Sequence, residues 1–404
     1  MVGLCASRLF LTLVFVSYPA VLPVVQKAWG MSAAAAGSIS SAFQIGFALS
    51  LVGFSSLADW VGAKRVYLWS SLAAVPAAFA FALFSSGHLS AFLLNGLLAL
   101  SLGGIYTPGL ILIADRFPPA TRGRATGFFL AASSSGYAAS LLLTGAVLGR
   151  WGWRPALLAA ATGPLVGALI ALGVLRGTPN RIPPRPAGAG FTGEVLRNRP
   201  AALMIAGYTF HSWELLGMFA WAPATVAAAL ASRGAGELRA TGLGANLAAL
   251  FHLAGLLASS IGGQLSDRFG RTAVILAMLW ASAACSFTFG WLVEGPLWLL
   301  LLVGLLYGFT AIGDSPVFSV GLTEVVRPHV LGAAFGVRSL LGFGAGAIAP
   351  LAFGAVLDLT NAGAPYRVWG WAYTLLGLGA LGAIATMLWL RRLPESRRLA
   401  GGLR

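Results

Sequence analysis

Apolar blocks of about twenty residues, separated only by short polar punctuation, recur along the whole chain. As helix, a block of that length crosses a hydrocarbon core about 30 Å thick. The blocks fall at 8–26, 37–58, 64–86, 90–114, 122–148 and 153–175, and again at 200–231, 240–266, 271–293, 297–325, 330–356 and 366–390. With 58% hydrophobic and 9% charged residues, the chain cannot cover a water-exposed surface with polar groups. In lipid every backbone N–H and C=O must be satisfied within its own segment, and runs this long do so as helices. The pattern therefore predicts an all-α integral membrane protein of twelve spanning helices. Its 53 glycines let helices approach closely in lipid. Arg8 followed by the apolar run 9–25 has the outline of a secretory signal. Eleven comparable runs follow it, so it reads as the first span.

The formal net charge of +15 does not point to nucleic acid, because the basic residues sit in short loops without a clustered footprint or aromatic interleaving. They divide by side instead. Arg8, Lys64, Arg65, Arg116, Arg122, Arg124, Arg268, Arg271, Arg327 and the chain's last arginines fall on one side. The arginines of the Pro-rich segment 176–199 fall there too, including Arg181, Arg185, Arg197 and Arg199 among Pro179, Pro183, Pro184 and Pro186. Lys27, Arg150, Arg154, Arg233, Arg239 and Arg367 fall on the other side, and Arg338 lies within a span. Basic excess marks the cytoplasmic face, so both termini and the segment 176–199 are expected inside the cell, at a bacterial cytoplasmic membrane. Cys5 and Cys285 stand in separate apolar blocks, which leaves no disulfide framework, thiolate metal site or cofactor to expect.

The chain also repeats. Asp59 and Gly62 recur as Asp267 and Gly270, and Gly104, Pro119, Gly123, Ala125 and Gly127 recur as Gly313, Pro328, Gly332, Ala334 and Gly336, at one nearly constant spacing. Matches in corresponding loops and helices indicate a duplicated six-helix unit. The expected division is a half at 1–175, a linker at 176–199 and a half at 200–404. Leu57-Ala58-Asp59-Trp60-Val61-Gly62-Ala63-Lys64-Arg65 and Gly263-Gln264-Leu265-Ser266-Asp267-Arg268-Phe269-Gly270-Arg271 occupy matched loops. Both resemble the signature loop of the major facilitator superfamily, Gly-x-Leu-Ala-Asp-Arg-x-Gly-Arg. The second copy fits closely. The first departs at Ser55, Trp60 and Ala63, while Lys64 and Arg65 keep the charge. Asp115-Arg116-Phe117-Pro118, Arg122-Gly123-Arg124 and Gly152-Trp153-Arg154 resemble further landmarks of that family.

The resemblance implies two pseudo-symmetric six-helix bundles in which spans 1, 4, 7 and 10 line a central cavity beside 2, 5, 8 and 11. It also implies that Asp59, Gly62, Lys64 and Arg65, with Gly263, Asp267, Arg268, Gly270 and Arg271, form cytoplasmic latches, each a carboxylate at a helix end beside cationic side chains. The alternative is a solvated turn whose Asp only caps a helix. Two marks of other branches are missing: Asn95-Gly96 stands where many relatives carry an Arg, and 131–149 lacks a Gly-Pro pair.

Ionisable groups inside hydrocarbon cost several kcal/mol, ~3 at a helix centre, and usually serve function. His211 and Glu214 share a helix face on the seventh span; His252 falls on the eighth, Asp314 on the tenth and Arg338 on the eleventh. Arg338 is expected to hold an anion or to neutralise Asp314. Glu214, in apolar surroundings beside His211, is expected to exchange a proton. A neutral structural network is the competing reading. His211-x-x-Glu214 would suit half of a metal site, which needs a third ligand from His252 or Asp314. Tyr106, Gln44, Tyr208 and Trp221 are candidates for hydrogen bonding to a solute. Ser133-Ser134-Ser135 reads as back-bonded to its own helix, Gly103-Gly104 with Pro108 and Gly313 with Pro316 as loosened helix segments, and Trp151, Trp153, Trp369 and Trp371 as interfacial anchors. In this reading every mid-membrane charge belongs to the second half.

These observations predict a monomeric, proton-coupled carrier of a small organic anion working by alternating access, its partners being the solute, protons and lipid. Efflux of amphipathic drugs or metabolites is the nearest alternative. An intramembrane metal enzyme is the alternative outside transport; it lacks a Ser nucleophile motif or a full metal signature.

Overall fold

The structure, a computed structural model, describes residues 1–182, 195, 197–327, 330–363 and 365–403. Pro183, Pro184, Arg185, Pro186, Pro328 and Arg404 therefore lie outside the described residues. Among those described, regular structure is entirely helical and 12 helices are long and apolar enough to cross a membrane. In chain order they are α1 (Val2–Ala28), α2 (Ala33–Val61), α3 (Ala63–Phe84), α4 (His88–Arg116), α5 (Pro119–Trp151) and α6 (Trp153–Leu175). A second set of six follows: α7 (Arg199–Ala231), α8 (Glu237–Phe269), α9 (Arg271–Leu292), α10 (Leu297–Val325), α11 (Leu331–Thr360) and α12 (Gly370–Arg392). Each sits on one apolar block of the sequence.

By contacts the chain divides into two compact units, Met1–Arg185 with Ala222–Ala249, and Pro186–Trp221 with Leu250–Arg404. The division passes through α7 and α8, so the end of α7 and the start of α8 belong with the first six helices. There Lys27 pairs with Glu237, and Gly145 of α5 meets Gly242 of α8 so closely that a Cβ on Gly145 would stand 2.5 Å from the Gly242 carbonyl oxygen.

Three spans are broken, each for a reason legible in its residues. In α1, Thr12 returns its hydroxyl to the carbonyls of Arg8 and Leu9, and the helix tightens to a 3-10 turn at Thr12–Val14. In α4 the turn at Gly103–Ile105 precedes Pro108. In α10 the helix stops at Gly313 and restarts at Ser315, where Pro316 supplies no N–H. The breaks in α4 and α10 fall at corresponding places in the two halves, as the Gly and Pro pattern predicted. Tyr106 lies at one and Asp314 at the other.

The first unit is drawn tight by small residues. Gly167 on α6 lies against α1, and Ser7 donates to its carbonyl over 2.8 Å. Asn95 of α4 donates to the Ile39 carbonyl of α2, which makes it a helix tie. The second unit is built around aromatic rings: Tyr373 meets Phe353 at 4.9 Å and Phe289 at 5.0 Å, both edge-on. Trp369 is buried in this cluster with its N–H on the Tyr366 carbonyl, which corrects its reading as an interfacial anchor. Trp151 and Trp371 are exposed at span ends.

Gly62 and Gly152, between consecutive helices, adopt φ +90° and +85°. A side chain in that region costs about 1–2 kcal/mol. At Gly62 a Cβ would also stand 2.3 Å from the Asn180 side chain, which donates to the Val61 carbonyl, whereas Gly152 opens onto free space. Gly62→Ala is therefore expected to lower the thermal unfolding midpoint clearly more than Gly152→Ala, in scanning fluorimetry of purified protein. Equal shifts would contradict the packing argument.

Candidate functional site

His211 and Glu214 are both buried on the seventh helix. Glu214 is 1% exposed, and its Oε1 accepts from Ser282 at 2.8 Å and from Ser286 at 2.6 Å, both on α9. The Ser286 hydroxyl continues to the Tyr307 hydroxyl on α10. Oε2 of Glu214 has no hydrogen-bond partner. One turn earlier on the same face, His211 places Nδ1 3.1 Å from Asp314 Oδ1 and Nε2 2.7 Å from the Ser315 hydroxyl. The break in α10 is what presents Asp314 and Ser315 side by side. His211 Nδ1 and Asp314 Oδ1 thus lie within ion-pair distance. Their contact is too poorly aligned to be a hydrogen bond, which leaves both Asp314 oxygens without one inside a buried site. Glu214, His211 and Asp314 thus form one acid–base cluster linked to hydroxyls.

Arg338 does not join it. Its Nη1 donates to the Ser319 hydroxyl at 2.6 Å, and its guanidinium lies over the rings of Tyr208 at 4.2 Å and Phe335 at 4.8 Å. The expectation that Arg338 neutralises Asp314 is corrected: the partner of Asp314 is His211. Ser319 lies five residues beyond Asp314, more than a helical turn along α10, and Arg338 reaches that level instead. Tyr208 touches both groups, since its ring centre is 5.5 Å from that of His211. Nε of Arg338 has no hydrogen-bond partner, and no carboxylate lies within ion-pair distance of it among the described residues.

The other candidates separate. Trp221 is fully buried, stacked on Phe353, with its N–H on the Pro350 carbonyl, so that donor is already used within the aromatic core. His252 is buried on α8 against the Phe219 ring, 4.3 Å between centres. Gln44 on α2 is half-buried. Among the described residues no three His, Cys, Asp or Glu side chains gather as a metal-holding group.

Arg8 overturns the expectation that the first half is free of buried charge. Read from the sequence as a cytoplasmic topology charge, it lies inside α1 and is 2% exposed. Its Nε donates to Ser133 on α5 at 2.6 Å, and its guanidinium lies 5.2 Å from the Tyr106 ring centre and 5.1 Å from that of Phe129. Ser133 is therefore occupied by an arginine, a correction to its back-bonded reading. Nη1 of Arg8 has no partner. Burying such an ion costs several kcal/mol, ~3–5 when it is left unpaired. Each ring face returns only about 0.5–2 kcal/mol and a neutral hydroxyl about 1. The signal was present in the sequence: the apolar run begins at Val2, ahead of Arg8, not after it.

At the duplicated loops the two halves differ. In the first, Asp59 is exposed, Lys64 donates to the Thr178 carbonyl at 2.7 Å, and Asn180 bridges the Val61 carbonyl and the Arg65 N–H. In the second, Arg271 pairs with Asp267, donates to Ser266, and holds Glu324 of α10 through contacts of 2.8 and 3.0 Å. Gly270 turns the chain at φ +93°, Gly263 faces open space, and Arg268 lies over Phe269. Sequence reasoning missed Glu324, which also accepts the Ala400 N–H at 2.8 Å and so docks the segment Pro394–Gly402. Glu324→Ala is expected to release that segment, raising the rate of tryptic cleavage near Arg391–Arg397 by about tenfold, one lost charge-assisted contact of ~1.5 kcal/mol. An unchanged rate would remove Glu324 from the docking.

Twelve membrane-crossing helices in two matched sets, with acid, base and guanidinium groups buried among them, define a multi-pass membrane transporter. The chain belongs to the Major Facilitator Superfamily, whose family profile matches residues 4–235. A probable 4-methylmuconolactone transporter of Cupriavidus pinatubonensis is 23% identical over 410 residues, covering 94% of this chain and 86% of that protein. An uncharacterized MFS-type transporter of Bacillus subtilis, YfnC, is 31% identical over 150 residues, 37% of this chain and 33% of the relative. The fold matches the crystal structure of a nucleoside transporter, NupG, with a TM-score of 0.77 at 14% identity, covering 96% of this chain and 99% of the other. A peptide transporter structure, POT, matches with a TM-score of 0.71 at 15% identity, covering 96% and 94%.

Proposed function

We propose that this chain is a proton-coupled secondary carrier of a small organic anion, acting as a monomer by alternating access. Glu214 exchanges the proton, with His211 and Asp314 beside it. Arg338 holds the negative group of the solute, while Tyr208 positions the guanidinium and is available to the solute through its hydroxyl. His252 in the second unit and Gln44 in the first are secondary candidates for contact with the solute. The observation that carries the reading is that acid–base groups and the guanidinium are buried in one unit but kept apart. A network serving only structure would pair the arginine with a carboxylate and cancel both charges; here the carboxylate is left to a histidine and hydroxyls, and the cation to an incoming anion.

The two six-helix halves, 1–175 and 200–404, are joined by the linker 176–199. The loops at Asp59–Arg65 and Gly263–Arg271 act as the cytoplasmic latches, consistent with Arg271 being held by both Asp267 and Glu324. The basic residues and the bacterial relatives support a bacterial cytoplasmic membrane with both termini inside. A relative named for a small organic solute supports the solute's size class. The test is flux of radiolabelled 4-methylmuconolactone into proteoliposomes under imposed pH gradients. Protein-dependent flux that changes with the gradient supports the proposal; flux indifferent to it rejects proton coupling.

A further inference from the structure

The first unit offers a buried cation that no carboxylate among the described residues pairs with. Its carboxylates, over Met1–Arg185 and Ala222–Ala249, are Asp59, Asp115 and Glu237, all exposed at or near helix ends, with Glu237 already on Lys27. Arg8, nearly fully buried, thus makes no ion pair with a carboxylate among the described residues, and one of its terminal nitrogens makes no hydrogen bond. The surroundings reproduce those of Arg338. In each unit a guanidinium meets one serine hydroxyl and two aromatic faces: Ser133, Tyr106 and Phe129 around Arg8, Ser319, Tyr208 and Phe335 around Arg338. The helices correspond as well, α1, α4 and α5 in the first unit matching α7, α10 and α11 in the second. The arginine, however, comes from the first helix of one set and the fifth of the other.

We infer that Arg8 with Tyr106 and Ser133 is a second anion subsite, which takes the carboxylate of an unsaturated or aromatic organic acid. This rests on the reading of the chain as an anion carrier and extends it to the first half. A planar guanidinium matches a carboxylate through two parallel N–H bonds, and its free Nη1 supplies an unspent donor. The flanking rings suit a flat apolar body. Tyr106, only partly buried at the break in α4, forms one wall of the subsite. Ser133 holds Nε and so orients the fork. Close packing nearby fixes the helix: a Cβ on Gly136 would stand 2.0 Å from the Thr12 hydroxyl, which locks α5 against α1.

The test measures binding in detergent by the purified full chain, with benzoate as the probe and benzamide as its uncharged isostere, read as stabilisation against thermal unfolding. Benzoate is expected to stabilise the wild type and benzamide not. In an Arg338→Gln background, so that only this subsite is read, Arg8→Gln should lose the benzoate effect and, without ligand, unfold at an equal or higher temperature, because an uncompensated buried charge has gone. A merely structural arginine would give the opposite shift. Arg8→Lys, which keeps the charge but not the fork, should weaken benzoate at least tenfold, and it serves as the decisive variant if Arg8→Gln does not fold. An undiminished benzoate effect in the folded Arg8 variants, or no benzoate effect in the wild type, overturns the inference. The measurement involves neither flux nor a pH gradient, so its failure is distinct from failure of proton-coupled transport.

Discussion

Glu214→Gln is expected to abolish gradient-driven accumulation of the probe solute while leaving exchange of solute for solute close to wild type. The amide fills the same volume and keeps a carbonyl oxygen to accept from Ser282 and Ser286, so the packing of α7 against α9 survives. What it removes is the proton that the carboxyl can carry. Coupling should be lost outright, since no other carboxylate among the described residues shares those hydroxyls; a fall of about tenfold or more in accumulation ratio corresponds to at least ~1.4 kcal/mol of lost driving force. Asp314→Asn should have a milder effect, through loss of the partner of His211. Full pH-driven accumulation by Glu214→Gln would place the coupling elsewhere.

The second large effect is expected at Arg338. Removing one member of a buried charge contact costs about 2–5 kcal/mol, which in affinity is roughly 30- to several thousand-fold. Arg338→Gln should therefore raise the half-saturating solute concentration beyond measurement. Arg338→Lys should recover only part, because an ammonium cannot form a two-bond fork. Protein stability should change little: the contacts of Arg338 are one hydroxyl and two ring faces, and removal leaves no carboxylate stranded. Transport by Arg338→Gln at the wild-type half-saturating concentration would contradict its role.

The spans were legible because lipid enforces an apolar run of fixed length, a constraint written residue by residue. The breaks at Gly103–Ile105 and at Asp314 were legible from Gly and Pro for the same local reason. His211, Glu214, Asp314 and Arg338 stood out because any charge in an apolar block does. Which charge meets which was not legible, because pairing depends on helix rotation and register: Asp314 turned to His211, and Arg338 reached Ser319. Arg8 was missed because a basic residue near the start of a span looks the same whether it faces headgroups or the interior, and only the apolar Val2–Ala6 ahead of it tells them apart. Ser282, Ser286 and Tyr307 were invisible for a different reason: serine and tyrosine are ordinary in such helices until a carboxylate is placed beside them. Asn180 and Glu324 came from segments distant in sequence, which no loop motif encodes.

Solute and proton are proposed to move together through this chain. This is tested most directly in proteoliposomes enclosing a pH-sensitive dye, by adding the probe solute on one side with no imposed gradient. A solute-dependent change of internal pH is expected with the wild-type protein, absent with Glu214→Gln although the solute still exchanges. Solute entering at the wild-type rate with no change of internal pH would contradict it.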